Sequence, residues 1–416
     1  MAKVQGVQLY THHSKAINFP GQYSFIAPSI TNFTAIMSKP DNNRRGFLAK
    51  FSLGLLTTWL GFPSTSRSKS NIENNENMQA DPIKVVKAMG FAWETLDPFL
   101  FCVHHEDKFP IGNDEMGPAA SLKGRSLGDD FIIKDGWRMY HGKKVPGFPG
   151  HPHRGFETIT IVRDGIVDHA DSLGASGRYG EGDVQWMTAG KGVQHSEMFP
   201  LLKKDEENPM ELFQIWLNLP KKNKMVEPHF KMLWGSKIPK YTHTDSKGKT
   251  TEVEVIAGKL GGHTAPAPPP DSWAADAANE VAIFNMKLAP SASFVLPKAG
   301  KDINRSLYFY TGSQITLAGK KIDAYHSIVV QPDIDLVIEN GDSEARILVL
   351  QGKPIQEPVI QYGPFVMNTK EEIQQAFNDY HATQFGGWPW KKYDQVHDRA
   401  EGRFARHADG TFEQGA

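Results

Sequence analysis

The sequence predicts an all-β protein of two jelly-roll β-barrels in tandem, followed by a short C-terminal helix. Three observations carry this. Short runs of strand-forming residues recur between turn residues, in a chain with 38 glycines and 27 prolines, a pattern of many brief antiparallel strands rather than of a helix bundle. In the first half, histidines and carboxylates fall at strand spacing, so a polar cluster would face inward from a barrel wall. A Pro-rich break, Ala265-Pro266-Ala267-Pro268-Pro269-Pro270 within 261–278, is stiff and extended and separates two sets of strands.

Length and charge set the outer bounds. A chain of 416 residues can bury two full cores. With 46 basic and 47 acidic residues it is close to neutral, so no nucleic-acid partner is expected. Cys102 is the single cysteine, which excludes an intrachain disulfide, and its setting in Phe99-Leu100-Phe101-Cys102-Val103 reads as a small buried hydrophobe.

The elements follow in order. Residues 1–36 show no period and read as an N-terminal extension. Segment 37–63 carries Asn43-Arg44-Arg45-Gly46-Phe47-Leu48 ahead of the apolar run Phe51 to Phe62, which resembles a twin-arginine export signal and makes Met37 a candidate start. Twelve apolar residues are too few to span a bilayer, so no stable membrane span is expected. The expected location is periplasmic or exported if the segment functions, and cytoplasmic otherwise. Residues 64–80, rich in Ser, Asn and Glu, read as a flexible linker.

The first barrel is expected over 81–260. Strands are predicted at Lys84 to Val86, Phe99 to Val103 and Phe131 to Ile133, with loop-rich stretches at Glu106 to Gly128 and Lys134 to Gly150. His104, His105 and His141 are expected as exposed histidines of these parts, with His141 near the barrel mouth. Glu157 to Arg163 reads as a strand, Asp164-Gly165 as a two-residue hairpin turn, and Ile166 to Ala170 as its antiparallel return. Val184 to Met187 and Leu212 to Leu219 complete the barrel, the latter alternating around Gln214 and Trp216. The second barrel is expected over 279–390, with strands at Ala282 to Leu288, Ser306 to Tyr310, Gln314 to Leu317, Ser327 to Val330, Leu336 to Ile338 and Arg346 to Leu350. Its histidines His326 and His381 are unpaired at strand spacing, so it is read as free of metal. Thr369-Lys370-Glu371-Glu372 is a capping box, with Ile373, Phe377 and Tyr380 on one helical face and Gly386-Gly387 as the stop. The tail 391–416 is polar and expected to be loosely ordered.

Two segments carry the chemistry. In a strand, His151 and His153 project from one side, and His195 and Glu197 do the same from theirs. A lone His-x-His pair can be two hydrogen-bonded strand residues; a second His-x-Glu pair just after Gly190 and Gly192 points instead to a shared metal. Three imidazoles and a carboxylate without a thiolate suit Fe(II), Mn, Ni, Cu or Zn. His169, on the strand after the turn, is a candidate to orient a ligand.

The stretches Gly150-His151-Pro152-His153-Arg154-Gly155-Phe156-Glu157-Thr158, Asp183 to Gly192, His195-Ser196-Glu197, Gln361 to Thr369 and Phe385-Gly386-Gly387-Trp388-Pro389-Trp390 together resemble the signature of the pirin family of the cupin superfamily. The resemblance implies a bicupin, with a mononuclear iron in the N-terminal barrel on His151, His153, His195 and Glu197. Many cupins use the acid of the first motif, and strand parity counted from His153 would turn Glu157 inward; the pirin pattern favours Glu197 and leaves Glu157 beside the ligands or as a substitute. Similar proteins are quercetinases, which open a flavonol ring with dioxygen, and redox-sensing partners of transcription factors.

The enzyme expectation is an iron-dependent dioxygenase, probed by a flavonol-like substrate and O2, with Glu197 taking the substrate proton. The alternatives are a metal-dependent redox-sensing interaction module and a hydrolytic or isomerising Zn or Mn cupin. A monomer is expected. Fusing residues 37–80 to a reporter should deliver it across the membrane, and Arg44→Lys with Arg45→Lys should stop delivery; equal delivery by both fusions would remove the export reading.

Overall fold

The computed structural model describes residues 81–415. The extension 1–36, the twin-arginine-like segment 37–63 and the linker 64–80 lie outside the described residues. Eleven strands open the described chain: β1 (Ile83–Ala88), β2 (Ala92–Trp93), β3 (Phe99–Phe109), β4 (Gly147–His153), β5 (Phe156–Asp164), β6 (Ile166–Asp171), β7 (Ser176–Gly180), β8 (Val184–Thr188), β9 (Val193–Met198), β10 (Asn208–Asn218) and β11 (His229–Leu233).

The first barrel is a sandwich of two six-stranded antiparallel sheets. One runs β11-β8-β5-β10-β3-β2, and the other runs Phe412–Gln414, Phe404–Arg406, β7, β6, β9, β4. Strand alternation divides the side chains of β5 between two cores. Val162 joins Val167, Met187, Val193 and Leu212 inside the barrel. Ile159 and Ile161 face the other way and pack with Tyr308, Leu348 and Leu350 of the second barrel. The two barrels are thus joined by a continuous apolar layer, which includes Cys102, fully buried as expected.

The second barrel pairs a seven-stranded sheet with a four-stranded one. The larger sheet is β1, His326–Val330, Asn304–Thr311, Ala345–Gly352, Ala282–Leu288, β13 (Thr250–Ala257) and β12 (Lys240–Thr244). The smaller contains Ser293–Leu296, Leu336–Asn340, Gln314–Leu317 and Lys320–Asp323. All six strands expected after the Pro-rich break are present. After them, α1 (Lys370–Thr383) begins with the expected capping box, in which Thr369 and Glu372 exchange side-chain and backbone hydrogen bonds. Its stop comes earlier than Gly386-Gly387: Gln384 takes the left-handed conformation (φ 50°) and its N–H closes on Tyr380 O.

Other expectations change, each for a non-local reason. Asp164-Gly165 is a corner and not a hairpin, because β5 and β6 belong to different sheets. Phe131 to Ile133 form no strand; Ile132 is 82% exposed and only isolated bridges cross this region. His104 and His105 lie on β3, which continues to Phe109. His105 is buried with Nδ1 2.9 Å from Tyr140 Oη, and His104 stacks on Phe213 at 4.4 Å. His141 is also buried, with Nδ1 2.7 Å from Gly128 O.

The chain ends also depart from the expected division. β12 and β13, upstream of the Pro-rich break, pair into the second barrel, as does β1 near residue 83. The polar tail is ordered and supplies strand Phe404–Arg406 to β7 of the first barrel. Arg178 explains the attachment: its guanidinium binds both oxygens of Asp168 at 2.7 and 2.8 Å and donates to the carbonyls of His397, Asp398 and Glu401. Tail side chains add to it, Arg403 binding both oxygens of Asp183 at 3.0 and 2.9 Å and Arg399 donating to Leu201 O at 3.0 Å, so the charge that read as solvated is spent on the barrel. Phe404→Ala should cost about 3–5 kcal/mol in denaturant unfolding, whereas Ile132→Asp should change stability by less than about 0.5 kcal/mol.

Candidate metal centre

β4 and β9 are antiparallel neighbours, and their register sets His151 opposite His195 and His153 opposite Val193. Ring centroids of His151, His153 and His195 lie 4.5 to 4.9 Å apart. One nitrogen from each falls within 4.8 Å of the others, and all three side chains are buried. A slip in pairing between Phe148 and His151 marks a bulge at the start of the motif, a device that re-aims side chains at the rim of a barrel.

Burial keeps these rings neutral. Desolvation pushes His151 down to about 4, and holds His153 and His195 well below the usual imidazole range, with the neighbouring histidines adding to the effect. His151 Nδ1 sits 3.0 Å from Pro149 O, so Nδ1 carries the proton and Nε2 keeps its lone pair. Neither ring nitrogen of His195 has a hydrogen-bond partner among the described residues. Buried polar atoms are rarely left so, and a divalent ion held by three neutral imidazoles would take up the one of them that carries the lone pair. The donor set therefore fits a metal.

Glu197 reaches the edge of this cluster, with Oε2 3.7 Å from His195 Nε2. Its oxygens accept hydrogen bonds from Gln214 Nε2 at 2.7 Å and Thr160 Oγ1 at 3.0 Å. Burial raises its pKa, and these two donors oppose the rise. Glu157 is elsewhere. Its oxygens accept from Thr188 Oγ1 at 2.7 Å and Ser272 Oγ at 2.5 Å, on the β5 face that carries Ile159 and Ile161. Parity counted from His153 fails because Gly155 adopts φ +85° between the two strands and interrupts the alternation.

Two family models match the chain: "Pirin" over residues 83–217 and "Pirin C-terminal cupin domain" over 283–386. The chain belongs to the pirin family. Human Pirin is 36% identical over 267 residues, which are 62% of this chain and 83% of that protein. A pirin-like protein of Caulobacter vibrioides is 37% identical over 239 residues, 58% of this chain and 80% of its own. A crystal structure titled quercetin 2,3-dioxygenase, from Acinetobacter baumannii, is similar with a TM-score of 0.56 and 25% identity, covering 74% of this chain and 96% of that one. A second structure of that title and organism, at 20% identity and TM-score 0.54, agrees in fold.

In this pirin the outward-facing neighbours of the clustered histidines are braced by the C-terminal segment. Arg154 donates to Lys191 O at 2.6 Å and to Asp379 of α1 at 2.7 Å, and its guanidinium lies 4.6 Å over the Phe385 ring. Gln194 donates to Gln384 O at 2.6 Å and accepts from Tyr380 Oη at 3.0 Å. Gly192 admits Phe385, since a Cβ there would lie 2.7 Å from its ring. Lys224, buried, donates to Gly155 O, Val366 O and Asn218 Oδ1, and burial pulls its ammonium down to about 7.

The expected role of His169 changes: its Nε2 lies 3.2 Å from Asp171 Oδ2, and its ring stands 5.6 Å from that of His195. Thr160, Gln214 and Trp216 are the site residues that spacing did not single out as functional. Thr160 and Gln214 are paired across β5 and β10, and alternation around Gln214 was their only sequence signal.

Glu157 makes a testable case of its own. Burial raises its carboxyl to about 7, above the ordinary value, so the folded state binds the extra proton and stability falls as pH rises from about 4.5 through 7. Glu157→Gln should remove that loss, gaining up to about 3 kcal/mol over wild type at pH 8 relative to pH 4. Denaturant unfolding at the two pH values measures it, and metal content should stay at the wild-type level. Parallel pH profiles would show that the carboxyl is not held neutral.

Proposed function

We propose that this pirin is a metal-dependent dioxygenase that cleaves a flavonol-type ring with O2. His151, His153, His195 and Glu197 would hold Fe(II), the donor types also suiting Mn, Ni, Cu or Zn. The observation that carries the reading is the buried triad of neutral imidazoles beside a buried carboxyl. The likeness to structures titled quercetin 2,3-dioxygenase supports the substrate class.

When bound, the ion would supply Lewis acidity toward adjacent substrate oxygens and electron exchange with O2. The chain supplies the rest. Glu197 accepts the proton of the substrate hydroxyl, a role suited to a carboxyl whose pKa burial raises. Gln214 and Thr160 hold its oxygens at 2.7 and 3.0 Å and so fix its direction. Trp216 stands 5.5 Å from the His153 ring and 4.1 Å from Phe156, and its buried indole N–H has no partner among the described residues. That N–H is available to a substrate oxygen, and the aromatic faces suit a planar substrate. Export through segment 37–63 is a separate proposal with its own reporter test.

Metal analysis of the purified protein, then anaerobic quercetin followed by oxygen, tests the reading. Loss of the flavonol absorption band with carbon monoxide release is expected. Tight iron binding without turnover on a flavonol panel would leave a metal-dependent interaction module instead. His153→Ala should abolish stoichiometric metal; unchanged metal would sink the ligand assignment. Glu197→Gln should lower kcat by about 10²- to 10⁴-fold while flavonol binding, followed by its spectral shift, persists.

A further inference from the structure

The second barrel holds a cavity of about 370 Å³, remote in sequence from the histidine cluster. Leu260, Phe284 and Leu296 give it an apolar wall, and Lys259, Lys298 and Arg305 line it as cations. Of the lining residues Glu280 alone carries a carboxylate, which is exposed and accepts from Gly300 N at 3.1 Å. The size is in the range of small-molecule pockets, about 300–1,000 Å³.

Arg305 gives the cavity its chemistry. It is only 3% exposed, yet among the described residues its one side-chain hydrogen bond runs from Nε to Gln351 Oε1 at 2.8 Å. Nη1 is buried with no partner among the described residues. Gln351 is itself fixed, because its Nε2 donates to Glu280 O at 3.1 Å. Two other buried arginines show what is missing. Arg178 takes both oxygens of Asp168 at 2.7 and 2.8 Å, and Arg138 takes both of Asp107 at 3.0 Å. A buried guanidinium without its carboxylate bears an uncompensated desolvation cost, and its planar fork matches two carboxylate oxygens. Burial lowers Arg305 only to about 10, so it remains cationic at neutral pH.

We propose that the second barrel binds a small organic carboxylate, its oxygens on the Arg305 fork and its apolar body against Leu260, Phe284 and Leu296. Lys259 and Lys298, both exposed at this cavity, would draw the anion in. This assignment is independent of the reaction proposed for the first barrel.

Benzoate titrated calorimetrically into the metal-loaded full chain tests it, with benzamide as neutral isostere and inorganic phosphate as the purely anionic comparison. Saturable benzoate binding is expected, at least tenfold tighter than benzamide. Arg305→Gln should weaken it by about 10- to 100-fold. Lys298→Ala, at an exposed position, should weaken it several-fold and reduce its salt dependence even if the arginine variant does not fold. His153→Ala should leave benzoate binding unchanged. Equal affinity for benzoate and benzamide, phosphate binding as tight as benzoate, or loss of benzoate binding in His153→Ala would each overturn the proposal.

Discussion

The centre depends on the register between β4 and β9. Pairing His151 with His195 places two strand-spaced donor pairs on the same wall, all pointing into the barrel. A slip of one residue would turn one pair outward, so nothing in the site tolerates an error there. The structure secures the register from outside the barrel. Arg154 and Gln194 immediately follow and precede His153 and His195, and both are tied to the segment that runs through α1 and Phe385. Alternation thus lets one strand present donors inward and be clamped by its neighbours outward.

The same geometry accounts for the charge states. The three buried imidazoles stay neutral because burial disfavours the cation, and neutrality leaves lone pairs to share. Glu197 is kept at the edge of the cluster by hydrogen bonds that come from the opposite sheet, from Thr160 on β5 and Gln214 on β10. The carboxyl is therefore aimed by one half of the sandwich and carried by the other, so the two sheets must close on each other before the site has its shape.

What the sequence made legible was whatever depends on period and local chemistry. The histidine pairs, the strands after the Pro-rich break and the capping box at Thr369 are all short-range signals, and each stands where its residues place it. Long-range pairing was not legible. Asp164-Gly165 has the residues of a tight hairpin, but which sheet receives β6 is decided by β7 and β9. Glu157 looked inward until the left-handed Gly155 is counted. The Pro-rich break marked a real interruption, while the allegiance of β12 and β13 was set by a partner strand beyond it. The tail reads as polar because its attachment runs through polar groups, its carbonyls onto Arg178 and its own Arg403 onto Asp183, whose partners lie more than two hundred residues away.

The crossing of the chain between barrels has a consequence for biosynthesis. Residues 83–88 belong to the second barrel and residues 404–406 to the first, so neither barrel is a contiguous stretch of polypeptide. As the chain leaves the ribosome, β1 must wait for a partner near residue 326, and the sheet carrying the histidines gains an outer strand only when almost everything else has emerged. Under completion one domain at a time, the usual route for large chains, each barrel would stand with an open sheet edge until the distant segment arrived. An excised half would leave its counterpart with an unpaired sheet edge.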